Sequence, residues 1–511
     1  ATRSARHEHT SHSRKAPEHS GRRRAAPKAA CSPLGGQRTS RSGGAWGHSG
    51  RRRAAPKAAC GPLGGQRTSR SGGAWGPHSM IATLLFTLFI VIMLLGVPVG
   101  AALGLAGAAA IALANAETAW FGLLAVPQNF YAGLGKYPLL AIPMFVLVGS
   151  IFDRSGVAAR LVNFATAIVG RGPGMLPLIA IAVAMFMGGI SGSGPATAAA
   201  VGSVMIAAMA RAGYPGAYSA SVVGAAAATD ILIPPSVAFI VYSVLVPGAS
   251  VPALFAAGMV PGLLVGLALI APAVWMARRH GMGAREADMP RPPFWRSLRE
   301  AVWGLAAPVV ILGGMRMGWF TPTEAAVVAV FYGLFVGMVV HRTMGVRDLF
   351  PILKESGELS AVILIVVSLA GIFAFSLSTL GVIDPVTQAI VHSGLGEYGV
   401  LTLIVLLLVV AGMFLDGISI FLIFVPLMWP IMQHYQWDVV WFGVLLTLMV
   451  AMGQFTPPLA VNLMVSCRIA GVSMEQTVRW VLPLVLAMGV VVLAVIVWPP
   501  LALWLPQALG F

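Results

Sequence analysis

From residue 81 onward the chain repeats one pattern: long apolar runs separated by short punctuation of Gly, Pro and charge. The first run covers 81–95, Gly96-Val97-Pro98 breaks it, and a small-residue run follows to about 114. Residues 120–137 are mixed. Trp120, Phe130, Tyr131, Lys136 and Tyr137 suit a membrane–water boundary. Apolar segments then fall at 138–152, 161–169, 175–187, 196–210, 217–233, 236–246 and 253–276. After a polar stretch at 277–300 they resume at 301–315, 323–340, 360–381, 385–394, 399–415, 418–433, 439–453, 459–470 and 479–504. Runs near 20 residues match the thickness of a bilayer as helices. Spanning strands would alternate apolar and polar residues over about ten positions. These runs are continuous, so the pattern predicts an all-α polytopic membrane protein.

The polar stretch 277–300 carries Arg278, Arg279, Arg285, Arg291, Arg296 and Arg299 against Glu286, Asp288 and Glu300. The excess of arginine places it on the cytoplasmic side. It divides the membrane body into a first half, 80–276, and a second half, 301–511. The halves echo each other at an offset of 223. Gly189 precedes Pro234-Pro235 by the same interval as Gly412 precedes Pro457-Pro458, and residues 233–243 align with 456–466. Matching Gly- and Pro-interrupted segments in two halves point to a transporter's binding site.

The breaks carry the candidate chemistry. Residues 188–202 read GGISGSGPATAAAVG, which cannot continue as a helix through its Gly-Ser run and Pro195. The reading is a re-entrant hairpin near 188–210 whose tip is Ser191-Gly192-Ser193-Gly194. Its carbonyls and the hydroxyls of Ser191, Ser193 and Thr197 offer the oxygen ligands that hard cations such as sodium take. The helix beginning near Pro195 turns the positive end of its dipole toward an anion. Close helix packing through small residues competes with this reading. Asp230 lies in an apolar run just before Pro234-Pro235-Ser236, where two amide donors are missing. A carboxylate there can bind a cation, carry a proton or pair with a local donor. In the second half, Asp416, Gly417 and Ser419 repeat the arrangement in a hairpin near 412–433. Gln454, Thr456, Pro457, Pro458 and Asn462 form the second double-proline break. Asn462 also suits an interhelical hydrogen bond. Thr321-Pro322-Thr323-Glu324 fits a capping box, with Thr321 as N-cap, and Asp384-Pro385 reads as a helix start.

Composition changes the picture in one place. The net charge of +16 comes almost wholly from residues 1–79, which hold 16 of the 33 Lys and Arg but only two acids, Glu8 and Glu18. This segment repeats itself with a period of 29 residues and has too few aliphatic residues to bury a core. It reads as a disordered basic tail, as a cleaved targeting peptide, or as sequence upstream of a true start at Met80. The membrane body is close to neutral and gives no case for a nucleic-acid partner. Cys31, Cys60 and Cys467 form no metal or disulfide pattern. No His-Glu metal motif and no closely spaced carboxylate pair supports an intramembrane enzyme.

These residues together resemble the large permease subunit of tripartite ATP-independent periplasmic (TRAP) transporters. The likeness covers nearly all of 80–511. It is carried by Gly96-Val97-Pro98, Leu139-Leu140-Ala141-Ile142-Pro143, the SGSGPAT run from Ser191, Gly213-Tyr214, Ile233-Pro234-Pro235-Ser236 and Pro261-Gly262. It continues through Phe320–Ala326, Gly412–Asp416 and Thr456-Pro457-Pro458 with Asn462. The resemblance implies inverted repeats with two re-entrant hairpins and elevator-type scaffold and transport regions. It implies sodium-coupled uptake of a small organic anion, typically a carboxylate, across the bacterial inner membrane. It also implies two partners, a small four-helix membrane subunit and a periplasmic solute-binding protein. On that pattern sodium and substrate lie around Ser191–Thr197, Asp230–Ser236, Asp416–Ser419 and Gln454–Asn462, with Ser191, Ser193, Asp230, Asp416 and Thr456 as expected sodium ligands. No cofactor beyond the coupling ions is implied. Two departures stand out: Thr197 is neutral where the family hairpin can carry an acid, and Gly417-Ile418 replaces the expected Pro-Thr after Asp416. The nearest alternative is a stand-alone ion-coupled anion exchanger of the same broad superfamily, working without a binding protein.

Overall fold

A computed structural model describes residues 77–114, 123–170, 172–288, 291–392 and 394–511. These belong to one compact unit, Gly72–Phe511. The readings made for the basic repeat therefore lie outside the described residues, as does the start of the aromatic boundary segment, 120–122.

The described residues form helices in this order: α1 (Pro77–Leu94), α2 (Val99–Ala114), α3 (Ala125–Leu134), α4 (Ala141–Arg154), α5 (Val157–Val169), α6 (Met175–Ser191), α7 (Gly194–Arg211), α8 (Gly216–Ala227), α9 (Val237–Leu245) and α10 (Val251–Arg279). The second half continues with α11 (Phe294–Arg316), α12 (Pro322–Leu334, ending in a π-helical turn to Val340), α13 (Val346–Thr379), α14 (Ile383–Val391), α15 (Gly396–Phe414), α16 (Gly417–Tyr435), α17 (Val439–Gly453), α18 (Val461–Ala470), α19 (Val478–Val497) and α20 (Pro500–Leu509). Eight helices among the described residues are long and apolar enough to cross a membrane.

Local rules explain most boundaries. Thr321 and Glu324 form the expected reciprocal capping box at the start of α12. The polar stretch shortens to 280–293, because Ala277–Arg279 finish α10 and Phe294–Glu300 already turn in α11. The segment expected at 360–381 begins much earlier, at Val346. Its first turns carry Arg347, Lys354, Glu355 and Glu358, which hide it from a hydropathy reading. The run 479–504 is two helices, interrupted at Trp498-Pro499. The hairpin arms reach back to Met175 and Gly396, beyond the expected 188–210 and 412–433.

Lipid offers no hydrophobic drive for helices to associate, so close approach through small residues carries the packing. On α2, Gly100, Gly104 and Gly107 meet Val366, Leu369 and Phe373 of α13. A methyl on Gly107 would lie 3.0 Å from the Phe373 backbone, which makes this seam a backbone-to-backbone contact.

The two halves correspond element by element at the offset of 223. Shifted by it, α6, α7, α8 and α9 fall on α15, α16, α17 and α18, with most ends matching to within two residues. Side-chain anchors correspond as well. Tyr214 donates to the buried Glu286 at 2.6 Å, and its counterpart Trp437 donates to Glu397 at 2.8 Å. Tyr218 donates to the Ala273 carbonyl, and its counterpart Trp441 to the Val495 carbonyl. Each hairpin base thus rests on an aromatic donor held by a carboxylate. Glu286 also accepts from Leu176 N at 2.7 Å, capping the first turn of α6. Glu286→Ala leaves this buried amide unpaired and the Tyr214 hydroxyl without an acceptor, although that hydroxyl still accepts from Gly174 N. The expected loss is roughly 1–3 kcal/mol, read as a lower midpoint of thermal unfolding in detergent; an unchanged midpoint rules the brace out.

Candidate ion and substrate site

The first hairpin turns at Gly192, whose φ of +62° is a left-handed conformation open to glycine at little cost. A side chain on it would also strike the Pro235 carbonyl. Ser193 is the N-cap of α7 but makes no side-chain cap, so the amides that open this helix are not satisfied by a hydroxyl. On the other flank, a methyl on Gly194 would sit 2.7 Å from Asn462 Nδ2 and 3.0 Å from Gln454 Oε1. The tip 192–194 is therefore clasped between the two double-proline breaks, one from each half. Both Pro-Pro bonds are cis.

Asp230 lies fully buried behind this tip. Ser191 Oγ and Thr197 Oγ1 both donate to its Oδ2 at 2.9 Å, and the two hydroxyl oxygens lie 3.0 Å apart. The break before Pro234 closes on itself. Leu232 and Ile233 donate to the Thr229 carbonyl, and Ser236 Oγ donates to the Ile231 carbonyl at 2.6 Å. Thr456 does the equivalent in the second half, donating to the Met452 carbonyl at 2.6 Å.

Asp416 behaves differently from Asp230. It caps α16, accepting from the amides of Ile418 and Ser419 at 3.1 and 3.2 Å and from the Ser419 hydroxyl. The offset of 223 pairs Asp416 with Ser193, the other N-cap, and pairs Asp230 with Gly453. Asp416 therefore repeats the cap and not the buried carboxylate. Gly453 packs on the backbone of Gly412, which leaves no room for an acid at the second position.

Four buried side-chain atoms at this place have no hydrogen-bond partner among the described residues: Asp230 Oδ1, Gln454 Oε1, and both Oδ1 and Nδ2 of Asn462. Unpaired buried polar atoms are costly and normally rare. Three of the four are oxygens suited to a hard cation.

Both hairpin tips line one cavity of about 360 Å³. Ser191 to Ala196 come from the first tip, Asp416 to Ile418 from the second, and Gln454 from the second break. Ile231, Val237 and Ala238 flank the first break, and α4, α13 and Val450 of α17 supply the remaining wall. The four prolines do not line it; they shape the chain behind it. Pro234, Pro235 and Ser236 are buried, whereas Pro458 is exposed. Thr197, Asp230, Ser419, Thr456 and Asn462 likewise stand behind the lining. Sequence reasoning passed over Ser150 and the α13 stripe Leu359, Val362, Ile363 and Val366, because ordinary apolar helix residues carry no local signal of facing a cavity.

The family model described as "Tripartite ATP-independent periplasmic transporter, DctM component" matches residues 86–501. The chain belongs to this family. Among similar proteins, the C4-dicarboxylate TRAP transporter large permease protein DctM of Pseudomonas aeruginosa is 37% identical over 80% of this chain and 94% of its own length. That of Rhodobacter capsulatus is 34% identical, over 84% of this chain and all of its own. The isethionate TRAP transporter permease protein DctMQ of Oleidesulfovibrio alaskensis is 37% identical, and this chain spans 64% of it. A crystal structure of the Alcanivorax borkumensis YdaH transporter matches the fold with a TM-score of 0.50 at 14% identity, covering 74% of this chain and 90% of that one. The chain is thus a DctM-family permease, a multi-pass protein of the inner membrane and not an enzyme.

In this DctM-family permease the clasp has a direct test. Gly194→Ala forces a methyl against Asn462 and Gln454, and overpacking of this kind costs about 1–3 kcal/mol. A lower unfolding midpoint with unchanged membrane insertion is expected. A midpoint equal to that of the unaltered protein would sink the clasped arrangement.

Proposed function

We propose that this permease moves a small organic anion inward together with sodium ions, receiving the anion from a periplasmic solute-binding protein and working beside a small four-helix membrane subunit. The observation that supports it most is the shared cavity, with two hairpin tips in it and no Lys, Arg or His among its lining residues. An anion in such a cavity needs positive charge from elsewhere. The uncapped amides opening α7 provide part of it. Bound cations beside them provide the rest, and the unpaired oxygens of Asp230, Gln454 and Asn462 are suited to hold them.

Ser191, Ser193, Asp230, Asp416 and Thr456 remain the proposed sodium ligands. Asp230 is the strongest, since it has one oxygen unpaired. Asp416 offers only what its cap leaves free. Thr456 and Ser191 keep lone pairs after donating. Relatives are named for C4-dicarboxylates, isethionate, sialic acid and 2,3-diketo-L-gulonate. All of these are anions at neutral pH, which favours the same charge class here.

The packing also favours an elevator movement. α18 of the second half packs on α7 and α8, and α9 of the first packs on α16 and α17. The hairpins and broken helices are thereby interlocked into one body that can shift as a unit against the α2–α13 frame.

Purified permease in detergent is expected to melt higher in sodium chloride than in choline chloride at equal ionic strength. Asp230→Asn should remove most of that difference while preserving insertion. Sodium-driven uptake into proteoliposomes should fall at least about tenfold for Asp416→Ala, which loses the α16 cap and a cavity carboxylate together. A sodium-independent melting midpoint in the unaltered protein would overturn the coupling ion. Full uptake with the binding protein omitted would favour a stand-alone exchanger instead.

A further inference from the structure

The cavity between the hairpin tips has walls from α4 and α13, and an ion pair joins these two helices. Ser150 lines it on α4, and Leu359 lines it on α13. One turn further along each helix on the same face stand Arg154 and Glu355. They pair across the gap at 2.9 Å, with side chains 41% and 63% exposed. The other two ion pairs among the described residues, Arg296–Glu300 and Lys354–Glu358, each lie within a single helix. Of these ion pairs, only Arg154–Glu355 bridges two helices, one turn from the lining residues Ser150 and Leu359.

The pair lies beside the arginine-rich stretch. The His341 ring contacts the carbonyls of Ser155, next to Arg154, and of Glu300, at the end of the arginine-rich stretch. The excess of arginine makes this the cytoplasmic side. Glu355 stands beside Arg154, and its carboxylate repels a departing anion. Arg154 is the first guanidinium beyond a cavity that has none.

Resting on the reading that the chain carries an organic anion, we propose that Arg154 is the anion's release station on the cytoplasmic face, trading Glu355 for the departing carboxylate. A guanidinium presents a planar fork of donors that fits a carboxylate in two parallel bonds. An exposed ion pair is weak, so the exchange costs little and reverses easily once the anion escapes. Glu355 then acts as the competitor that keeps Arg154 from trapping the anion.

The test is exchange across proteoliposomes bearing the full chain with its small membrane subunit, supplied outside with its solute-binding protein, with the internal concentration of unlabelled anion varied. Succinate, isethionate and N-acetylneuraminate serve as probes, and the first driven by a sodium gradient into liposomes with the unaltered protein is used. Arg154→Gln is expected to raise the half-saturating internal concentration about fivefold, the upper scale of an exposed pair, with Arg154→Lys in between. Glu355→Gln is expected to lower it, because Arg154 is then uncontested. A mere strap between α4 and α13 would move both variants in the same direction. Shifts of equal sign, or none for Arg154→Gln, overturn the proposal. Lack of sodium-driven uptake of all three probes by the unaltered protein would overturn the transport reading and this one with it. Elution and melting profiles of each variant confirm that it is folded.

Discussion

Everything in this protein depends on how broken backbone is satisfied where no water can reach it. A helix interrupted inside a bilayer leaves amides and carbonyls that lipid cannot solvate. Here each double-proline break is covered in part by a hydroxyl of its own segment, and the first tip packs against the opposite half. Ser236 and Thr456 close on freed carbonyls of their own segments. The tip 192–194 is enclosed by Pro235 on one side and by Gln454 and Asn462 on the other. The packing of the first tip between the two breaks also brings together the residues that line the cavity.

Much of this was legible in the residues. The apolar runs, the Gly-Ser and Pro-Pro punctuation and the interval of 223 located both hairpins and both breaks. The Thr321–Glu324 cap was readable because capping is a matter of residue type at fixed spacing. What stayed hidden depends on long-range contact. The polar first turns of α13 masked a helix whose later residues wall the cavity. The likeness of Asp416 to Asp230 was a false friend, since each is an acid near a break, but one caps a helix and the other lies buried behind a tip. The orphaned oxygens of Gln454 and Asn462 have no signature in sequence, because being unpaired is a property of surroundings.

The comparison of halves shows where a duplication has been allowed to diverge. The structural devices survive with changed chemistry: Tyr214 and Trp437 both donate to a glutamate, and Tyr218 and Trp441 both donate to a carbonyl. The site does not survive in the same way. Asp230 faces Gly453 in the alignment, and Ser193 faces Asp416. One half supplies a buried carboxylate and an open helix start, and the other a carboxylate that occupies its own helix start. The two walls of the cavity are therefore chemically unlike.

The element-by-element match has a consequence for how such a chain can change. Tyr214 and Trp437 differ in ring and donor atom, and their glutamates lie at unmatched places, Glu286 beyond α10 and Glu397 in the first turn of α15, yet each donor stands the same number of residues from its tip. What the fold guards is contour length between landmarks more than identity at any one of them. Substitution along the arms is absorbed locally, whereas adding or removing a single residue would rotate every later side chain by about 100° around its helix and aim the anchors into lipid.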